Sequence, residues 1–151
     1  MTRQQAYRRF EGVRDELHAA RFSLGRTLLA HRDDALVRQA AGREQITAHH
    51  LESCVGNLEL TYLLRLFAEF EGVLRDYWLH GLHRTTRPQM TDLMNSIAAY
   101  CHTTDDDVND AHEVREYRNA VIHEHAQDLR FEFRVCRSRL ARFARWLPPE
   151  W

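Results

Sequence analysis

The segment Glu116-Tyr117-Arg118-Asn119-Ala120-Val121-Ile122-His123 sets an arginine, an adjacent carboxamide and a histidine close together. A guanidinium grips phosphate through planar, charge-assisted hydrogen bonds, and an imidazole with an ordinary pKa of about 6.5 moves protons near neutrality. Those are the two needs of metal-free RNA cleavage: a hold on the phosphate and a base for the 2′-hydroxyl proton. The spacing alone does not select this site, because it recurs at Arg26/His31 and Arg75/His80. Arg75/His80 ends a long apolar-striped segment but has Asp76, not an amide, beside the arginine. Only Arg118 has the neighbouring carboxamide.

On a helix, Arg118 and His123 lie about 140° apart around the axis. Asn119 and His123 share a face, which His112 and Arg115 or Glu116 continue at neighbouring turns. Arg118 is long enough to bend toward that face. A second copy closes the gap more directly, with each chain giving one arginine and one histidine across a twofold axis. A homodimer with a composite site is therefore expected.

Helical spacing accounts for most of the chain. Tyr7, Phe10, Val13, Leu17, Ala20, Leu24 and Leu28 recur every three to four residues, predicting a helix from Arg3 to His31. Residues 32–45, with Asp33, Asp34 and Gly42, read as a turn through a short helix or irregular connection. A second long helix is expected from Thr47 to His80, with a bend near Gly56 and a stop at Gly81. Pro88 favours the opening of a third helix through Leu93, Met94 and Ile97. Thr104 caps a fourth, with Asp107 at its positive end. A last helix is expected from Leu129 to Leu147, closed by Pro148-Pro149. Four principal long helices plus shorter ones predict an all-α antiparallel bundle in one domain, residues 1–151. The tetrapeptide FEGV occurs at 10–13 and 70–73, but the flanks diverge, so it reads as repeated helix-face composition.

Net charge is only -1, which gives no argument for nucleic acid. Its distribution is uneven. Residues 105–128 carry two arginines against eight acids, and residues 129–151 carry six arginines against two acids. Such a layout makes intramolecular ion pairs, and it can also leave a confined positive patch fit for phosphate. Every basic side chain other than histidine is arginine. Cys54, Cys101 and Cys136 are widely spaced and odd in number, suiting a reducing compartment rather than a disulfide framework or zinc knuckle. The opening MTRQQAYRRFEGVRDEL has no apolar secretion core, and no window approaches membrane-spanning length, so a cytoplasmic location without a membrane partner is expected.

The late segment, the two long early helices and the closing helix together resemble the HEPN superfamily of small helical domains. Arg118, Asn119 and His123 match its hallmark of arginine, polar residue, variable positions and histidine near the end of a late helix. The stretch Leu66-Phe67-Ala68-Glu69-Phe70-Glu71-Gly72-Val73-Leu74-Arg75-Asp76-Tyr77-Trp78 is similar to the second long helix of several HEPN branches. The resemblance implies a metal-independent endoribonuclease of a toxin–antitoxin or phage-defence system. Its products would be 2′,3′-cyclic phosphate ends, and its partners RNA, a second copy and a cognate antitoxin or defence subunit. In that reading Arg118, Asn119 and His123 are catalytic, Arg115, Glu116 and His125 support them, and Arg130, Arg134 and Arg137 guide the RNA backbone. One departure concerns regulation. Branches paired with a nucleotidyltransferase antitoxin carry tyrosine two positions beyond the histidine, where this chain has His125.

The alternative is a non-catalytic HEPN-like scaffold that binds RNA or protein. No metal or other cofactor is expected. His123-Glu124-His125 lacks the spacing of a zinc helix, His80 and His83 straddle an expected helix end, and His49-His50 has no convincing companion ligands.

Overall fold

The computed structural model describes residues 1–123 and 131–151. The described residues form six α-helices: α1 (Arg3–Asp33), α2 (Ala35–Arg43), α3 (Ala48–Asp76), α4 (Met90–Cys101), α5 (Asp105–His123) and α6 (Phe133–Ala144). Among the described residues there is no strand, and an isolated bridge joins Thr2 to Glu150. The fold is an all-helical bundle.

The starts of the helices are chemically marked. The Thr2 hydroxyl accepts from the Gln5 amide while the Gln5 side chain accepts from the Thr2 amide at 2.8 Å, a reciprocal cap for α1. Thr47 and His50 do the same for α3, with the His50 ring nitrogen taking the usual carboxamide or carboxylate role. Asp34 caps α2 through its carboxylate. Of the two readings of residues 32–45, a short helix or an irregular connection, the short helix is the one found. α3 runs without a break through Gly56, and its last stretch widens into a π-helical turn at Tyr77–Gly81. A β-carbon at Gly81 would collide with the Tyr77 ring, so glycine is needed for that turn. α4 begins two residues after Pro88, with Gln89 as its cap.

α1 and α3 pair antiparallel, as their cross-links show. Arg9–Glu69, Glu16–Arg65, Arg21–Glu59 and Arg32–Glu52 ascend one helix as they descend the other. Each exposed pair is worth about 0–1 kcal/mol, so the ladder sets register more than it adds stability. The apolar core lies at one end of this hairpin. Buried residues of α1 stop at Leu17, and α2 buries none. The far end leaves Phe22 and Leu36 72% and 75% exposed. At the core end, Phe70 packs against Phe10, Phe67 and Phe143, with the Phe143 ring edge-on at 5.5 Å. Leu66, Leu74, Leu93, Ile97, Val114 and Leu140 complete the packing, joining α3 to α4, α5 and α6.

α5 and α6 also run antiparallel, and the uneven charge distribution is resolved between them. Asp107 pairs with Arg142 at 3.3 Å and Arg145 at 3.1 Å, Asp110 with Arg139 and Arg142, and Glu113 with Arg139. α6 begins at Phe133, four residues later than the spacing predicts. Phe131 stays outside the helix, its ring edge-on to Tyr117 at 5.6 Å and under the Arg139 guanidinium at 4.4 Å. Asp107 is the buried member of the charge cluster and accepts from the Trp146 indole at 2.8 Å. Burial pushes its carboxyl up, but hydrogen bonds from Trp146 and Thr104 and the charges of Arg145 and Arg142 together hold it below the ordinary value.

A carboxyl lowered on folding stabilises the fold above its unfolded pKa of about 4, and that contribution disappears as pH falls through the folded value. D107N should cost about 2 kcal/mol at pH 7 in urea unfolding. The gap between D107N and the parent should narrow below about pH 4. Equal gaps at pH 7 and at strongly acidic pH would contradict this role.

Candidate functional site

α5 turns its apolar residues Ala111, Val114 and Tyr117 into the core. Helical spacing then puts His112, Arg115, Glu116, Asn119 and His123 along a polar flank. Part of that flank meets α4, whose buried face is Leu93, Met94 and Ile97 and whose polar edge carries Thr91 and Asn95. His112 Nε2 lies 2.8 Å from the Asn95 carboxamide oxygen, and Arg115 donates to the Thr91 hydroxyl at 2.6 Å. Arg115 also reaches Glu116 at 3.3 Å. The result is a polar seam between α4 and α5.

Two atoms in the seam have no hydrogen-bond partner among the described residues: His112 Nδ1 and Arg115 Nε. Burial lowers the His112 pKa, the Arg115 charge lowers it further, and Glu116 opposes them weakly. The ring is therefore neutral at pH 7. With the Asn95 oxygen accepting, its proton sits on Nε2.

Arg118 leaves the flank sideways. Its guanidinium lies 5.7 Å from the centroid of the Phe67 ring on α3, and one Nη donates to the Asn119 side-chain oxygen at 2.9 Å. The arginine is half-buried and held in one orientation, with further N–H donors left for a phosphate. His123 is exposed at the end of α5 and makes no hydrogen bond or ion pair among the described residues. Within one chain, then, Arg118 and Asn119 are joined by a hydrogen bond, and His123 is bonded to neither, one turn beyond Asn119 on the same helix. His125 and Arg130 lie outside the described residues.

The arginines expected to guide RNA divide. Arg134 is exposed without an ion pair among the described residues, whereas Arg137 is bonded to Glu11 of α1. Arg139, Arg142 and Arg145 are taken up by the acids of α5. Most of the basic run thus serves helix pairing. Thr91 and Asn95 were not among the residues expected at this site. Their one signal is a four-residue spacing on the edge of an apolar helix, which has meaning only once α4 is known to lie against His112 and Arg115.

Among the described residues no three histidine, cysteine or acidic side chains are grouped so that they could hold a metal ion. No described helix is long and apolar enough to cross a membrane. Comparison with protein-family models, curated proteins and solved structures finds no match.

The His112 environment has a pH signature. A histidine whose pKa falls on folding leaves the unfolded chain the better proton acceptor below about pH 6.5, so stability drops as pH falls through that value. H112Q should flatten the decline in urea midpoint between pH 7.5 and 5. A decline as steep as the parent's would show that other groups carry it.

Proposed function

We propose that the protein is a metal-independent endoribonuclease of HEPN type that works as a homodimer in the cytoplasm, as a toxin or phage-defence effector. The observation that carries this reading is the Arg118 guanidinium, held on Phe67 and by Asn119, on the helix that ends with exposed His123. A guanidinium fixed before substrate arrives meets a phosphate with little further loss of freedom. Arg118 grips the phosphate and stabilises charge gathering on its oxygens, while Asn119 orients the arginine. His123 from the partner subunit takes the proton from the 2′-hydroxyl, whose oxygen attacks the adjacent phosphorus. The bond to the 5′-oxygen breaks and that oxygen takes a proton from solvent water, leaving a 2′,3′-cyclic phosphate and a free 5′-hydroxyl; the imidazolium later returns its proton to solvent. DNA lacks the attacking group.

In this reading Arg115 and Glu116 steady the flank from the α4 side, and Arg134 is the α6 arginine free to meet the RNA backbone. A cognate antitoxin or defence subunit would cover the paired flanks.

The engagement of Arg118 inside its own chain, with no bond to His123, also favours a second reading: a HEPN-like scaffold that binds RNA or protein without cleaving it. A mixed single-stranded RNA substrate separates the two. The parent should cleave it with EDTA present, and R118A and H123A should each lose about a hundredfold or more in rate at equal dimer content. Cleavage unchanged in H123A would reject the site, and no turnover by a parent free of copurified inhibitor would select the scaffold.

A further inference from the structure

A cationic concavity lies where α3 gives way to its π-helical turn. Beyond that turn His83 takes a φ of 53°, a left-handed conformation that reverses the chain. The segment 84–88 then folds back over Trp78. The Arg84 amide donates to the Trp78 carbonyl at 3.0 Å, and the Trp78 indole N–H donates to the Thr86 carbonyl at 3.0 Å. These bonds tie the loop to the helix end around a cavity of about 570 Å³ lined by Arg75, Trp78, Arg84, Thr85, Thr86 and Arg87. That volume lies within the range of small-ligand sites.

The charge of this cavity is one-sided. No carboxylate lines it. Arg75 is oriented by Glu71 at 2.7 Å and by the Pro88 carbonyl. Arg84 and Arg87 make no ion pair among the described residues, in contrast to Arg137, Arg139, Arg142 and Arg145 of α6. Unpaired guanidiniums flanked by threonine hydroxyls suit a phosphate, which accepts from both kinds of donor. The indole adds a flat apolar wall of the kind on which nucleobases stack. Sulfate or a carboxylate would use the cations alone; a base attached to a phosphate uses both. The cavity also sits on the α3 stripe Phe67, Glu71, Arg75 and Trp78, at whose other end Arg118 rests on Phe67.

We propose that Arg75, Arg84, Arg87 and Trp78 form a nucleotide-binding subsite, with phosphate on the guanidiniums and a base against the indole. The nucleotide is either free or one unit of a single strand of RNA. This site stands whether or not Arg118 and His123 cleave RNA.

Calorimetric titration of the full chain tests it with 5′-AMP, inorganic phosphate and a 2′-O-methyl RNA octamer, which resists 2′-hydroxyl attack. AMP or the octamer should bind, and R84A/R87A, which removes exposed side chains only, should weaken that binding at least tenfold. W78F, which removes both the indole face and its bond to Thr86, should weaken AMP and octamer binding more than phosphate binding. An octamer bound at least tenfold tighter than AMP identifies a strand as the source, and comparable affinities identify a free nucleotide. The proposal is overturned by no binding of AMP or octamer at millimolar concentration, by parent-like affinity in R84A/R87A, or by phosphate binding as tightly as AMP. Because the octamer is uncleavable, none of these outcomes depends on nuclease activity.

Discussion

Three helices meet on the ring of Phe70. α1 brings Phe10 to it, α6 brings Phe143 edge-on, and α3 supplies Phe70 itself with Phe67 one turn earlier. Aromatic rings dominate a core of this size through buried area, with further gain from edge-to-face geometry. Phe67 has a second duty, since its ring is also the surface on which Arg118 lies. The centre of the bundle and the candidate phosphate grip therefore share a residue. Any change in how α3 packs against α1 and α6 would be felt at Arg118.

The α5–α6 pair shows how a helix poor in apolar residues joins such a core. Among the described residues α5 buries Ala111, Val114, Tyr117 and the carboxylate of Asp107, with Val108 and Val121 half-buried against the core. Ion pairs add to its hold on α6, and most of them are partly exposed and individually modest. Asp107 differs because it is buried and also accepts from Trp146. It anchors one end of the pairing, and the Tyr117–Phe131 contact closes the other end of the described part.

Much of this architecture was legible in advance, for identifiable reasons. α1 and α3 follow from apolar residues recurring every three to four positions, and the acidic and basic runs foretold the α5–α6 pairs. What escaped depends on contacts distant in sequence. The π-helical turn needs Gly81 against Tyr77, the late start of α6 reflects Phe131 packing on Tyr117, and His50 closes a cap usually made by glutamate or glutamine. At the candidate site, Arg118 and Asn119 are sequence neighbours and their hydrogen bond is local. The rest of Arg118's surroundings belongs to α3, and the partners of His112 and Arg115 belong to α4. No spacing within α5 encodes them.

The hairpin of α1 and α3 outruns the core that holds it. Past Leu17 the first helix has no fully buried residue, only half-buried Ala20 and Leu24 against the core, and α2 adds no buried side chain. Cooperativity extends only as far as shared burial, so the distal turns and the aromatic base have no common melting point imposed on them. Local opening should therefore cost least at the tip and most at the aromatic base, a gradient set by how far two helices extend beyond the rings that join them.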